Sequence, residues 1–455
     1  MTKLFCWGLL TVAVTSGAVY TNDTGGVTYG FRVEFAGPVV ITSHSAALPV
    51  QSPEGEATAL TFSGGEVPPG GSFWLSWRPS SVKIAHAEWV TSPEKVTAPN
   101  KLMRGVTFGA MYWPERNLEL VEYNLDRLLT FGINSVALVV DWYVDDYTDP
   151  TIEPWYRDRP GFPDTNWYFP TLYDDEVRYI IREAHARGMT VFLKPHVDAL
   201  NWAFGNPGRG ELRPRGGDWD TLFASYTDFI LHYAQLAEEL GVEVLSVGCE
   251  LETMTHTFAG LHDPDTRWRR IISRVREAYP GKLTYSCAFG GLPGVTWSSP
   301  NHITFWDALD YIGFEIYRGL TYKRDPTLSE LKAAVREIFD DYVEQLATEY
   351  GKPVLVTEIN YYSYDGVNTT PIDFPRDRPV DHGEQALCYE AVLSTVQDIL
   401  EKKGYLAGLF WWAGYLVDPG ADYSWVCQDR YDFFWFKPAQ EVLRRYWGEN
   451  GAQGS

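Results

Sequence analysis

VEVLSVGCELE (residues 242–252) carries a short, β-branched apolar run, Val242 to Val247, that ends in acids. KPVLVTEINYY (352–362) repeats the pattern, with Pro353 to Val356 leading into Glu358. Runs this short, hemmed by polar residues or glycine, read as strands covered on both faces, the kind found in parallel sheets. Each closes on a carboxylate where the strand would surface, Glu250 in the first and Glu358 in the second. The sheet would fix the backbone of each, leaving the head group at a mouth.

The flanking sequence shows how many such strands there are. From Arg104 onward, strand and helix patterns alternate. Strands are predicted at 105–110, 135–140, 190–194, 242–247, 282–287, 311–315, 353–357 and 407–411. Amphipathic helices lie between them, among them DDEVRYIIREAHARG, TDFILHYAQLAEELG and the long LSELKAAVREIFDDYVEQLATEYG. Eight strands with intervening helices predict an α/β fold, a (β/α)8 TIM barrel over residues 104–450. An open doubly wound sheet is the alternative, but no GxGxxG follows the first strand and no P-loop occurs.

Residues 1–95 have a different grain. Short apolar or aromatic runs (GVTYGFRVEF, GPVVITS, TALTFSG, SFWLSW) are separated by turn-forming clusters such as NDTGG and PPGG. This predicts a small all-β sandwich of six or seven strands, with 96–103 as a linker. EVPPGGSFWLSW is loosely similar to the closing segment of cellulose-binding and fibronectin-like modules. A glycan-binding role through Trp74, Trp77 and Trp89 stands beside a purely structural one. At the amino terminus, residues 1–18 have the charged start, apolar stretch and small residues (Ser16, Ala18) of a signal peptide. VTSGAVYTNDTGG reads equally as a first strand. Export, and so an extracellular location, is the expectation.

Composition narrows the partners. The 455 residues carry a net charge of −22, which repels nucleic acid and anionic membranes, and no apolar run is long enough to span a bilayer. Five scattered cysteines without CxxC spacing imply neither a metal site nor a disulfide framework, and no cofactor is expected. The 18 tryptophans are numerous enough to suggest flat platforms for sugar rings as well as core. A monomer acting on a neutral polysaccharide or oligosaccharide fits these numbers.

Polar residues at the carboxyl ends of barrel strands build active sites. Here the strand ends read MYWPE, DWY, KPHVD, GCELE, CAFGG, EIYRG, TEINYY and FWWAGY. Over residues 104–448 the chain resembles retaining glycoside hydrolases of clan A, and most of all family 113, the β-mannanases. The resemblance is carried by LKPHVD (Leu193–Asp198), SVGCELE (Ser246–Glu252), LDYIGFEIY (Leu309–Tyr317), PVLVTEINY (Pro353–Tyr361), GLFWW (Gly408–Trp412) and KPAQEVLRRYW. It departs at Cys249, where threonine is usual, at Phe314-Glu315-Ile316 in place of an Ile-Asp-Ala type run, and at Gly414-Tyr415. These departures bear on substrate more than on reaction.

The resemblance implies Glu250 as acid/base and Glu358 as nucleophile. Retention needs two carboxyls ~5–5.5 Å apart, one protonated and one ionised. Tyr317 resembles the clan's tyrosine that hydrogen-bonds the nucleophile. Glu252 would share a strand face with Glu250, so residues alone leave their roles exchangeable. The family pattern favours Glu250, with Glu252 accepting from a sugar hydroxyl. His196 is expected to bind substrate. Trp412, in preference to the adjacent Trp411, is expected to form the stacking floor, with Trp142, Tyr112 and Trp113 as further cleft residues. Glu315 is expected in a structural salt bridge. The implied function is a retaining endo-β-1,4-glycosidase, with mannan or glucomannan the first substrate. An endoglucanase or another clan A glycosidase or transglycosidase is the alternative, and a non-catalytic glycan-binding barrel is the reading from a different class.

Overall fold

The computed structural model describes residues 16–21, 30–44, 50–52, 56–63, 72–78, 81–90, 102–108, 118–158, 170–200, 208–257, 260–291, 299–371, 377–414 and 416–448. The chain divides into two compact units, Met1–Thr97 together with Glu344–Lys352, and Ala98–Val343 together with Pro353–Ser455.

The amino-terminal strands are β1 (Ser16–Thr21), β2 (Gly30–His44), β3 (Val50–Ser52), β4 (Glu56–Ser63), β5 (Ser72–Arg78) and β6 (Ile84–Val90). They form one antiparallel sheet in the order β1-β5-β2-β4-β3, with β6 also on β2. β2 pairs with β6 over Gly30–Phe35, with β4 from Phe31 as far as Val40, and with β5 over Val40–His44. Register shifts at Glu34/Val39 and Ile41/Ser43 bend it. The bend brings Phe31, Val33 and Leu60 into one core with Phe73, Leu75 and Trp77. Trp77, one of the three tryptophans considered for glycan binding, is a core residue whose indole donates to the Val82 carbonyl at 2.8 Å. Ser16–Thr21 forms a strand on β5, as the strand reading of that stretch expects; the signal-like residues before Ser16 lie outside the described residues.

The second unit is the barrel. Its strands are β7 (Met103–Phe108), β8 (Ser135–Val144), β9 (Thr190–Ala199), β10 (Val244–Cys249), β11 (Lys282–Gly291), β12 (Ile312–Arg318), β13 (Val354–Ile359) and β14 (Leu406–Gly414). All neighbours are parallel, and β14 pairs back onto β7 to close the ring. The expected TIM barrel is therefore the observed fold. Several strands outrun the apolar runs that announced them. The β8–β9 ladder continues through Asp141↔His196 and Tyr143↔Asp198, because backbone pairing persists after the side chains turn polar.

The barrel floor is filled by Met103, Ala137, Phe192, Val244, Tyr311, Leu355, Ala407 and Phe410. Phe410 lies so close to the β7 backbone that a Cβ on Gly105 would overlap its ring, so only glycine fits there. The long helix expected after β12 is broken: Leu328–Ile338 passes through a π-turn at Phe339–Val343 before Glu344–Tyr350. The wider turn buries both Phe339 and Val343. Among the described residues no helix is long and apolar enough to cross a membrane.

Candidate active site

The carboxyl ends of β8, β9, β10, β12, β13 and β14 carry a connected set of ionisable and aromatic side chains. Glu358 on β13 is 5% exposed, and its neighbour across the ladder is Glu315 on β12. The Tyr317 hydroxyl donates to Glu358 Oε2 at 2.6 Å, and Lys194 Nζ donates to Oε1. Lys194 also pairs with Glu315 Oε1 at 2.5 Å, so one enclosed ammonium joins two carboxylates. Burial alone would discharge that ammonium, but the facing carboxylates of Glu315 and Glu358 reverse the effect and hold its pKa above the ordinary lysine range. Burial and the Glu358 charge keep the Tyr317 phenol protonated far above its usual range, so it acts as a donor.

Glu250 is placed differently. β10 ends at Cys249, and Glu250 takes a left-handed backbone with φ 49°. Few non-glycine residues adopt this region, and a glutamate there marks strain held by its surroundings. The holding contacts are visible. The Glu250 N–H donates to the Ser286 carbonyl at 2.9 Å, and the Leu251 N–H donates to the Tyr285 hydroxyl at 2.9 Å. Tyr285 and Trp268 press so closely on Gly248 that a side chain there would collide with both. The Glu250 carboxyl keeps 30% of its side-chain surface open and has an oxygen within 4.8 Å of the Glu315 carboxylate. Burial pushes its pKa above the ordinary range; Arg209 opposes the shift and the Glu358 charge adds to it. The adjacent Glu315, wholly enclosed, is pushed well above that range by burial and by Glu358.

The turn after Cys249 corrects the expectation that Glu250 and Glu252 share a strand face. The strand has already ended, and Glu252 begins the helical turn Glu252–Thr255. Its carboxylate lies against Gly210.

His196 on β9 is 2% exposed and lies parallel to the Trp412 indole, at 6.4 Å between centroids and 10° between planes. Burial, with Arg209 and Lys194 alongside, drives its pKa well below the usual value and keeps the ring neutral. Trp412 also lies 5.8 Å beneath the Lys194 ammonium. Trp411, one residue away, faces outward and stacks on Tyr389 at 3.7 Å, as strand alternation requires. Alternation also removes Trp142 from the expected cleft set. Asp141 faces the mouth, while Trp142 packs on Phe229, His232 and Tyr233 of helix Trp219–Leu240. Tyr112 and Trp113 lie outside the described residues.

Four members of the network, Asp141, Lys194, Asp198 and Arg209, were not singled out by the sequence. Arg209 grips Asp198 with two bonds (2.9 and 2.8 Å) and reaches His196 Nδ1 at 2.6 Å. Asp141, buried near the charge of Asp198, has its pKa raised to about 7. Lys194 sits inside a motif read for its histidine. LKPHVD displayed the lysine and Asp198 openly; only barrel closure reveals their partners.

Three groups bring metal-ligand atoms within 4.8 Å: His196, Cys249 and Glu358; Asp141, His196 and Asp198; and Cys249, Glu250 and Glu315. Each is already threaded by a side-chain cation, Lys194 or Arg209, and burial keeps the Cys249 thiol protonated. These donor sets do not suit a metal.

A closed parallel barrel with paired glutamates at the mouth of its fourth and seventh strands defines a glycoside hydrolase fold and site. The sequence profile of Glycoside Hydrolase Family 113 matches residues 125–416, well over half of the chain, and the chain belongs to that family. Among solved structures, it is similar to the family 113 β-mannanase AaManA from Alicyclobacillus acidocaldarius in complex with ManMIm. That match has 26% identity and a TM-score of 0.58, and covers 76% of this chain and 97% of that one. A second family 113 β-1,4-mannanase complex has 20% identity and a TM-score of 0.59 over 77% of this chain and 99% of that one, which supports the fold. No curated protein gives a significant match.

Proposed function

We propose that the protein is a retaining endo-β-1,4-mannanase in which Glu358 is the nucleophile and Glu250 the acid/base. The observation that carries this reading is the asymmetry between the two carboxyls. Glu358 has a donor on each oxygen, Tyr317 and Lys194, the setting of an anion that attacks. Burial, with the Glu358 charge, shifts Glu250 toward the form that retains a proton, against the pull of Arg209.

In the first half-reaction Glu358 attacks the anomeric carbon while the Glu250 proton passes to the departing glycosidic oxygen, leaving a covalent glycosyl-enzyme. In the second, Glu250 takes a proton from water, whose oxygen displaces Glu358 and restores the original anomeric configuration. Trp412 offers a flat face for the sugar at the cleavage point, and His196 a hydrogen-bonding ring beside it. Mannan is the preferred substrate because family 113 neighbours named as β-mannanases share fold and sequence with this chain.

Hydrolysis of glucomannan, galactomannan, carboxymethylcellulose and xylan, with product sizing, tests the reading. Mid-length manno-oligosaccharides released early from the first two are expected. Predominant cleavage of carboxymethylcellulose would make the enzyme an endoglucanase instead. Glu358→Ala and Glu250→Ala should each abolish hydrolysis, and on an activated aryl glycoside azide should rescue Glu250→Ala as the β-glycosyl azide of retained configuration, whereas any rescue of Glu358→Ala should give the inverted α-azide. Rescue of Glu252→Ala instead would reassign the proton donor.

A further inference from the structure

We propose that Arg209 is a positioning residue of this active site, one that sets the tautomer of His196 and stabilises the ionised form of Glu250. The second half of this rests on the assignment of Glu250 as acid/base; the first half stands on geometry alone.

Arg209 opens a short 3-10 turn, Arg209–Glu211, in the connection after β9. Its Nε and Nη2 bind the two Asp198 oxygens at 2.9 and 2.8 Å, a fork that fixes the guanidinium plane. The remaining nitrogen, Nη1, is thereby aimed at three groups. It lies 2.6 Å from His196 Nδ1, 3.4 Å from Cys249 Sγ and 4.0 Å from Glu250 Oε2.

A guanidinium can only donate, so His196 Nδ1 must accept. The neutral ring then carries its single proton on Nε2. That nitrogen is buried and has no partner among the described residues. A buried N–H is rarely left unpaired in a native protein, and this ring lies parallel to Trp412 at the mouth. Nε2–H is the donor held in readiness for a sugar hydroxyl, and without Arg209 nothing fixes the proton there.

Glu250 must exist as acid in one half-reaction and as carboxylate in the other. The charged and titratable groups around it are Arg209 from the 3-10 turn, Lys194 from β9, Cys249 from its own strand, Glu315 from β12 and Glu358 from β13. Burial disfavours its ionisation most, and the Glu358 charge adds to this. Of the two cations, Lys194 is already shared between Glu315 and Glu358. Arg209 is the one that faces Glu250 without binding either.

Three variants, Arg209→Gln, Arg209→Lys and Asp198→Asn, test the proposal by two readouts. The first is the ¹⁵N spectrum of histidine-labelled protein, with His196→Asn identifying the His196 signals. The second is the pH profile of kcat/KM on the preferred polysaccharide. Wild type should show a pure Nε2–H tautomer at His196. In Arg209→Gln that signature should give way to mixed tautomers, kcat should fall about tenfold or more, and the alkaline limb should move to higher pH, because the Glu250 carboxylate has lost its cation. Arg209→Lys should keep the limb nearer its wild-type position and still lose the tautomer. A wild-type tautomer and pH limb in Arg209→Gln, with only the melting temperature lowered, would reduce Arg209 to a structural partner of Asp198 and overturn the proposal. If Arg209→Gln does not fold, Asp198→Asn loosens the same fork with the charge retained, and an unchanged tautomer there also overturns it. The spectrum needs no substrate, so this failure is distinct from failure of the mannanase reading.

Discussion

Lys194 is wholly enclosed, with its ammonium between Glu315 and Glu358. Removing one member of a buried ion cluster leaves the others charged and uncompensated, at a cost of about 3–5 kcal/mol. Lys194→Met should lose stability of that order in urea unfolding, and kcat should collapse with it; an unchanged unfolding midpoint would show that the glutamates rebalance by taking up a proton. Asp141 gives a prediction with a definite sign. Its pKa is raised to about 7 in the folded protein, mainly by burial and then by the charge of Asp198. The folded state therefore binds this proton more tightly than the unfolded chain. The stabilisation is present below the ordinary carboxylate range and is lost as pH rises through about 7. Asp141→Asn, which cannot ionise, should gain stability relative to wild type as pH climbs from about 4 to 7. Melting curves across that window check this, and a constant difference would contradict it.

At the scale of strands and helices, the two tryptophans at the ends of β8 and β14 separate structural from functional roles. Trp142 packs on helix Trp219–Leu240, so Trp142→Ala should lose about 3 kcal/mol of stability while kcat/KM stays near wild type. Trp412 lies open at the mouth beside His196, so Trp412→Ala should raise KM for polysaccharide about tenfold, equivalent to ~1.4 kcal/mol of binding, with little change in melting temperature. Steady-state kinetics paired with thermal unfolding distinguishes the two patterns. The contrast also shows what the chain displays openly. Buried parallel strands announce themselves as apolar runs, so the barrel and the locations of Glu250 and Glu358 were legible. Which face a strand-end residue takes depends on where the ladder stops. For Trp412 the alternation rule held, but Glu250 and Glu252 straddle the end of β10, where the rule no longer applies. Arg209 was illegible for a further reason: it lies in an irregular connection, and its importance comes from contacts that form only when β9 and β10 lie side by side.

Across the whole molecule, every charged member of the site belongs to the barrel, and the amino-terminal strands possess a hydrophobic core of their own. We expect a chain beginning at Leu102 to retain hydrolysis of an activated aryl glycoside within a fewfold of the full protein; loss of the folded barrel on truncation would show the units to be interdependent. The acidic balance of −22 makes a neutral glycan the compatible partner, and activity on uncharged mannan should vary little with salt. One local feature reaches the same scale. The left-handed backbone at Glu250 opposes folding by roughly 1–2 kcal/mol for any residue with a Cβ. Glycine would be relieved of it, so Glu250→Gly should unfold at higher urea than Glu250→Ala, with both expected to be inactive. Stability alone would thus favour a different residue at position 250. On the proposed mechanism the carboxylate is kept there for its use, and a search for hardier variants that does not also score turnover would drift toward sturdy barrels that cut nothing.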